Sequence, residues 1–294
     1  MQAWIALTVF AAVMQAVRTA GQKTLAQSIS PLATTLARYV FGLPFALLYF
    51  IVLSESPATD ALEAISRWHF VSYASAAALA QIVATVCLVK VLHSRNFAIG
   101  SCFAKTEAVL TALLGAFIFG AGLSGIGWMS VCLGMLGVLV IAWRDSVRRF
   151  DCYSVCYGLL SGLAFAFTSL WLREASLSLG WEVMRNAAMT LVYMVSVQAF
   201  ICLALVWCYQ RVQLSLLVKH WRLCLFVGAT SALGSIGWFS AMSYQNAALV
   251  KTLGQIEILM TLGITYAVFQ ERIAGREYIG MGLILASVLL LIWL

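Results

Sequence analysis

Apolar residues run through this chain in blocks of helical length, and polar residues collect between the blocks. Strand-like alternation is scarce, and the pattern predicts helices over 2–20, 33–53, 70–92, 97–119, 124–143, 153–176, 187–209, 222–243, 247–269 and 276–293. Most blocks approach the ~20 residues needed to cross a hydrocarbon core ~30 Å thick. Breakers and charges mark the connections. Ser30-Pro31 opens the second helix, Ser54 to Asp60 forms the longest acidic loop, and Arg144 to Asp151 divides the chain near its middle. The connections are too short to hold an extramembrane domain. The fold class this pattern predicts is all-α, a polytopic membrane protein of ten transmembrane helices.

An internal repeat sharpens that expectation. A shift of 150 residues places Asn96 on Asn246, Ala98 on Ala248, Glu107 on Glu257 and Thr111 on Thr261, then Phe119 on Phe269, Gly125 on Gly275 and Trp143 on Trp293. The register holds without gaps for about 48 positions and includes an intramembrane acid. The front parts align at a shift near 154, with Ala33 on Ala187 and Tyr39 on Tyr193. The division this suggests is 1–146 and 147–294, five helices each. An odd number of crossings turns the second copy upside down relative to the first, the inverted-repeat plan of many secondary transporters, whose substrate sites lie between repeats near the midplane.

Composition agrees with a lipid environment. Of 294 residues, 63% are hydrophobic and 10% charged, with mean hydropathy +0.96, whereas soluble domains run nearer half apolar and a quarter charged. The net charge of +7 comes from 18 Lys and Arg scattered through short loops, without the basic stripe that tracks nucleic-acid phosphates. The eight cysteines lack C-x-x-C spacing and read as small packing residues rather than a disulfide or zinc framework. The start, Met-Gln-Ala-Trp, has no basic n-region, so the first apolar block is expected to be a helix and not a cleaved signal. No cofactor, metal or nucleic acid is implied. The expected partners are the bilayer and a small-molecule substrate, with the chain a monomer or homodimer in a bacterial inner (plasma) membrane.

An ionisable side chain in the hydrocarbon zone costs several kcal/mol unless it faces a cavity or a partner. Five fall there: Arg38, Lys105, Glu107, Lys251 and Glu257. Glu107 and Glu257 occupy equivalent places in the two repeats and are expected to meet at their interface. Two roles stay open for them: binding a substrate amine or carrying a proton, or holding helices in register through ion pairs with Lys105, Lys251 or Arg38. Lys251 and Gln255 share a helical face. Arg38 can grip a carboxylate or phosphate through two donors, or snorkel to the interface. Three bases against two acids leave this set at +1, a tilt toward zwitterions or organic anions. Gln81 and Thr85, with Trp171, Trp238 and Tyr244, are candidates to complete a substrate-binding pocket. Trp4, Trp68, Trp143, Trp221 and Trp293 lie near helix ends, where interfacial anchoring is the ordinary account. Close glycines, Gly134 with Gly137, Gly158 with Gly162, and Gly280 with Gly282, point to tight helix contacts. Gly21-Gln-Lys-Thr24 lacks the first glycine of a phosphate-binding loop, which argues against direct ATP coupling.

The segment from Ala267 to Val288 resembles a signature of the EamA-type drug/metabolite transporter family: Glu271 ends one helix, a short polar turn follows, and Gly280 lies at the start of the last helix. The first copy, Ile118 to Trp128, keeps the glycine turn but has Ala121 where the acid would stand. Pro31 to Tyr39 resembles the start of the family's second helix, with Arg38 at its usual basic position. Thr106-Glu107-Ala108-Val109 resembles its fourth, with Ala108 replacing a common proline. The resemblance covers the whole chain and implies a ten-helix transporter without naming its substrate.

Orientation is where two arguments part. Twelve Lys and Arg, including Arg18 and Lys90, fall in odd-numbered connections and three (Arg67, Arg173 and Arg185) in even ones. The positive-inside rule then makes the odd connections cytoplasmic and both termini external, whereas the resemblance implies cytoplasmic termini. The function this reading expects is a secondary transporter, an exporter or exchanger of amino acids, organic anions or similar metabolites. Its rival is a membrane-embedded enzyme acting on lipid or isoprenoid substrates, which would want clustered Asp, His or Cys at membrane depth.

Overall fold

The computed structural model describes residues 3–93, 103–142, 152–260 and 275–292, and there every regular element is an α-helix. In chain order these are α1 (Ala3–Ala26), α2 (Pro31–Val40), α3 (Leu43–Leu53), α4 (Pro57–Ser66), α5 (Trp68–His93), α6 (Glu107–Ile118), α7 (Gly125–Ala142), α8 (Cys152–Ser178), α9 (Val183–Tyr209), α10 (Val212–Lys219), α11 (Trp221–Tyr244), α12 (Ala247–Leu253) and α13 (Gly275–Ile292). Among the described residues, six segments are long and apolar enough to cross a membrane: Ala3–Ala26, Pro31–Leu53, Trp68–Val91, Cys152–Ser178, Val183–Tyr209 and Trp221–Tyr244. Three shorter apolar helices accompany them, Glu107–Ile118, Gly125–Ile141 and Tyr278–Leu291. The outer faces of these helices carry exposed Leu48, Ile51, Val52, Phe200 and Leu289, which only lipid makes favourable. The protein is an integral, multi-pass membrane protein.

Several expectations are refined by where the helices begin, bend and end. The first runs on to Ala26 rather than stopping near 20, so Arg18 is a buried residue of α1 and not a loop charge. The second is two helices meeting at a turn through Phe41 and Gly42. Pro44 has no N–H to return to the carbonyl of Val40, which bends the helix there. The fourth and ninth blocks are interrupted at equivalent levels, by turns at Lys105-Thr106 and Gly254-Gln255. Short helices α4 and α10 fold inside connections. Trp68 and Trp221 are exposed as interfacial anchors would be, whereas Trp4 is buried in the core. The Arg144 to Asp151 connection, the Glu271 turn, Trp143 and Trp293 lie outside the described residues.

Packing links the halves pair by pair. α1 packs on α11, α5 on α8, α2 and α3 on α9, α6 on α12, and α7 on α13. Exchanging first-half helices for their second-half counterparts turns α1·α11 into α8·α5 and returns the other pairs to themselves. The packing pattern therefore has two-fold character. Small residues allow the closest crossings: a Cβ on Gly137 would lie 2.7 Å from the Gly280 carbonyl, and one on Gly228 would lie 2.5 Å from the Phe41 backbone. Gly282, by contrast, faces open space.

Among the described residues, connections of like parity meet one another. In the odd set, Ser30 Oγ donates to Gln210 Oε1 at 2.5 Å and the Ser30 N–H to Gln213 Oε1 at 3.0 Å. In the even set, Arg185 pairs with Asp60, Arg67 Nη1 donates to the Leu179 carbonyl at 2.6 Å, and Asn246 Nδ2 donates to the Ala121 carbonyl at 3.3 Å.

Candidate functional site

The interrupted helices bring the polar residues together. In the fourth block the break at Lys105-Thr106 places Glu107 in the first turn of α6, where the free N–H groups favour a carboxylate. In the ninth block, α12 is capped by Asn246, whose side chain accepts from the Ala248 N–H at 2.9 Å, and stops before Gly254. There the chain must be glycine: a Cβ on Gly254 would lie 2.2 Å from the Trp238 ring. The break lets that indole into the space between α11 and α12.

Two ion pairs then cross between the halves. Lys251 Nζ lies 2.5 Å from Glu107 Oε1, and Lys105 Nζ lies 2.6 Å from Glu257 Oε2. Each acid is answered by a base from the opposite repeat. A side-chain chain joins the pairs: Gln15 Nε2 donates to Glu257 Oε2 at 2.7 Å, and Trp238 Nε1 donates to Gln15 Oε1 at 2.9 Å. Lys251 lies 4.6 Å from the Trp238 ring centroid and 5.9 Å from that of Phe165, a cation held against aromatic faces. Ser169 Oγ donates to Glu107 Oε1 at 3.4 Å.

Beside this network lies a cavity of about 40 Å³, room for roughly three waters. Arg18, Arg38, Gln81, Glu107, Trp238 and Lys251 are on its wall, with Gln15 and Ser169 beside them. Arg38 Nη1 donates to Thr85 Oγ1 at 2.9 Å. Gln81 accepts from Gln198 Nε2 at 2.8 Å, which fixes its amide.

The sequence-predicted residues thus divide. Arg38, Gln81, Glu107, Trp238 and Lys251 share the cavity wall; Lys105 and Glu257 join it through Gln15. Arg38 is buried and does not snorkel. Gln255 points away, packed against Gly134 and Ser287 between α7 and α13. Trp171 stacks on Phe167 at 4.9 Å and is no part of the cavity wall, and Tyr244 is exposed. Sequence reasoning missed Gln15 and Arg18. Their signal was present: Gln15, Arg18 and Gln22 recur at steps of three and four, one polar stripe along one helical face.

A multi-pass helical bundle with a charged cavity between two packed halves is the architecture of a membrane transporter. The chain belongs to the EamA-like transporter family, whose profile matches residues 2–143 and again 153–293, which places it in the drug/metabolite transporter superfamily. The fold is similar to that of a solved crystal structure at TM-score 0.75 and 13% sequence identity, over 98% of this chain and 95% of that one. No curated protein sequence matches it.

Proposed function

We propose that this protein is a secondary transporter, an exporter or exchanger that carries small polar or amphipathic metabolites such as amino acids or organic anions. Two inverted five-helix halves, ten helices in all, alternate access to one central site, and the protein is not an enzyme. The observation that carries this reading is the pair of ion pairs crossing between the halves, Lys251–Glu107 and Lys105–Glu257, beside a polar cavity. A cavity of about 40 Å³ is too small for a metabolite, so the halves must separate to admit one. The crossed pairs are contacts that such a motion has to break or exchange. A proton on Glu107 would release Lys251, which is how a proton gradient couples to opening.

The test is solute counterflow with purified protein in liposomes. Accumulation of labelled amino acids or organic anions is expected, with a pH dependence that E107Q and E257Q reduce. If both variants keep wild-type rates and pH profile, the acids are structural only. Turnover of bilayer lipid without solute movement sinks the transport reading in favour of a membrane enzyme. The charge bias assigns the odd-numbered connections to the cytoplasm. Cysteines introduced at Ser28 and Glu55, both exposed, into a cysteine-depleted chain test this. An impermeant maleimide added to intact cells should label the Glu55 position least if the bias is misleading and most if it is not.

A further inference from the structure

We propose that the cavity binds a compact dianion, a dicarboxylate or a phosphate monoester, with Arg18 and Arg38 as its two anchors. This rests on the transporter reading and narrows its substrate class.

The argument starts from which charges are already answered. Four basic side chains (Arg18, Arg38, Lys105 and Lys251) and two acids surround the cavity, a formal excess of two positive charges. Both acids are held by lysines. Among the described residues neither arginine has a carboxylate within ion-pair distance, although each is only 5% exposed. Arg38 uses one donor on the Thr85 hydroxyl. Arg18 has an enclosed Nε with no hydrogen-bond partner among the described residues. A buried guanidinium with unmet donors is costly, and two such groups on one small cavity also repel each other.

The chemistry that resolves this is an anion carrying two charges. A guanidinium presents its donors as a planar fork that fits carboxylate and phosphate oxygens. A monoanion neutralises one arginine and leaves the other. A cation is disfavoured twice, by the excess positive charge and because the Trp238 and Phe165 faces already hold Lys251. Two of the neutral groups on the wall are tied into the protein: Gln15 bridges Glu257 and Trp238, and the Gln81 amide oxygen accepts from Gln198. The arginines are thus the charged groups on the wall that lack an ion-pair partner among the described residues, and a short dianion asks least of the opening that has to admit it.

Titration calorimetry on the purified full chain tests this with five probes: succinate, inorganic phosphate, acetate, leucine and putrescine. Succinate or phosphate is expected to bind, and acetate, leucine and putrescine at least about tenfold more weakly. R18Q and R38Q should each weaken the dianion by about tenfold or more, the loss expected when one charge-assisted contact goes. R18K, which keeps the charge but not the fork, should fall between. Failure of both dianions to bind, tighter binding of leucine or putrescine, or wild-type dianion affinity in R18Q and R38Q overturns the assignment. If the glutamine variants do not fold, the preference of the wild type for succinate or phosphate over acetate decides. Counterflow separates the two proposals. Liposomes that move leucine but neither dianion sink the dianion site and leave a transporter. Dianion binding in protein that moves no solute supports the site and sinks transport.

Discussion

At the residue scale the most telling arrangement is reciprocal. Glu107 reaches Lys251 and Glu257 reaches Lys105, so each half supplies one acid and one base to its opposite. Breaking a buried pair by removing one partner costs about 3–5 kcal/mol, whereas replacing both with neutral groups is often near neutral. E107Q alone is therefore expected to lower the unfolding temperature in detergent, because Lys251 keeps its charge beside the Trp238 and Phe165 rings but loses its carboxylate partner. The double variant E107Q/K251M should recover most of that loss. A double variant as unstable as the sum of its two singles would mean that the residues do not act as a pair. The pairing could be suspected from the sequence, since two acids and three bases fell at membrane depth. The partner of each acid could not, because helical periodicity fixes a face within one helix and says nothing about which base on another helix meets it.

At the element scale the helices that build the site are the broken ones. Helix two bends at Phe41-Gly42, helix four turns at Lys105-Thr106, and helix nine turns at Gly254-Gln255. Such interruptions survive within a membrane only where they are buried in protein or line a cavity, and here they carry Arg38, Lys105, Glu107, Lys251 and Glu257. Close crossings hold them. A Cβ on Gly228 would lie 2.5 Å from Phe41 and 2.8 Å from the Gly42 backbone N. Overpacking of this kind costs typically 1–3 kcal/mol, so G228A should lower the unfolding temperature. G282A, at a glycine with nothing within 4 Å of its Cβ position, should leave it unchanged or slightly raised, since alanine is the better helix former. Equal effects of the two substitutions would remove the crossing as the reason for Gly228. Pro44 makes the bend in helix two, although the apolar run 33–53 reads as one helix. The breaks in helices four and nine were not legible, because an apolar run reads as continuous whether or not a neighbour supplies the hydrogen bonds lost at a turn.

At the scale of the whole molecule, the faces between helices are clasped by contacts between the halves. Asp60 of α4 pairs with Arg185 of α9 and accepts from Ser54, and Arg67 Nη1 holds the Leu179 carbonyl. Burial raises the Asp60 carboxyl, but the Arg185 and Ser54 hydrogen bonds and the arginine charge outweigh it and hold it below the ordinary carboxylate value. A depressed folded-state pKa stabilises the native state above the unfolded-state value of about 4, and the contribution is lost as pH falls through the lower folded value. Unfolding temperature in detergent is expected to drop as pH is taken below about 4 in the wild type. D60N should be less stable at neutral pH and show a shallower acid decline. An identical acid decline in D60N would assign the effect to other carboxylates.

What the sequence determined by itself is the part governed by local chemistry and by the solvent. Apolar blocks of spanning length demand lipid outside and helices within, since backbone groups in hydrocarbon must satisfy one another. The 150-residue register made the halves equivalent, and an acid at membrane depth in each marked the level of the site. Tertiary structure decided what depends on distance between helices. It drew Arg18 out of a presumed loop and into the cavity, because α1 runs a further turn and more to Ala26. It turned Gln255 toward Gly134 and left Trp171 outside the wall. It also added Arg18 to the charged groups around the cavity, which raises their formal sum from an expected one to two positive units and is the basis of the proposed dianion site. Side chains separated by more than 200 residues, such as Gln15 and Glu257, meet only after helix packing is complete, and no pattern along one chain encodes that distance.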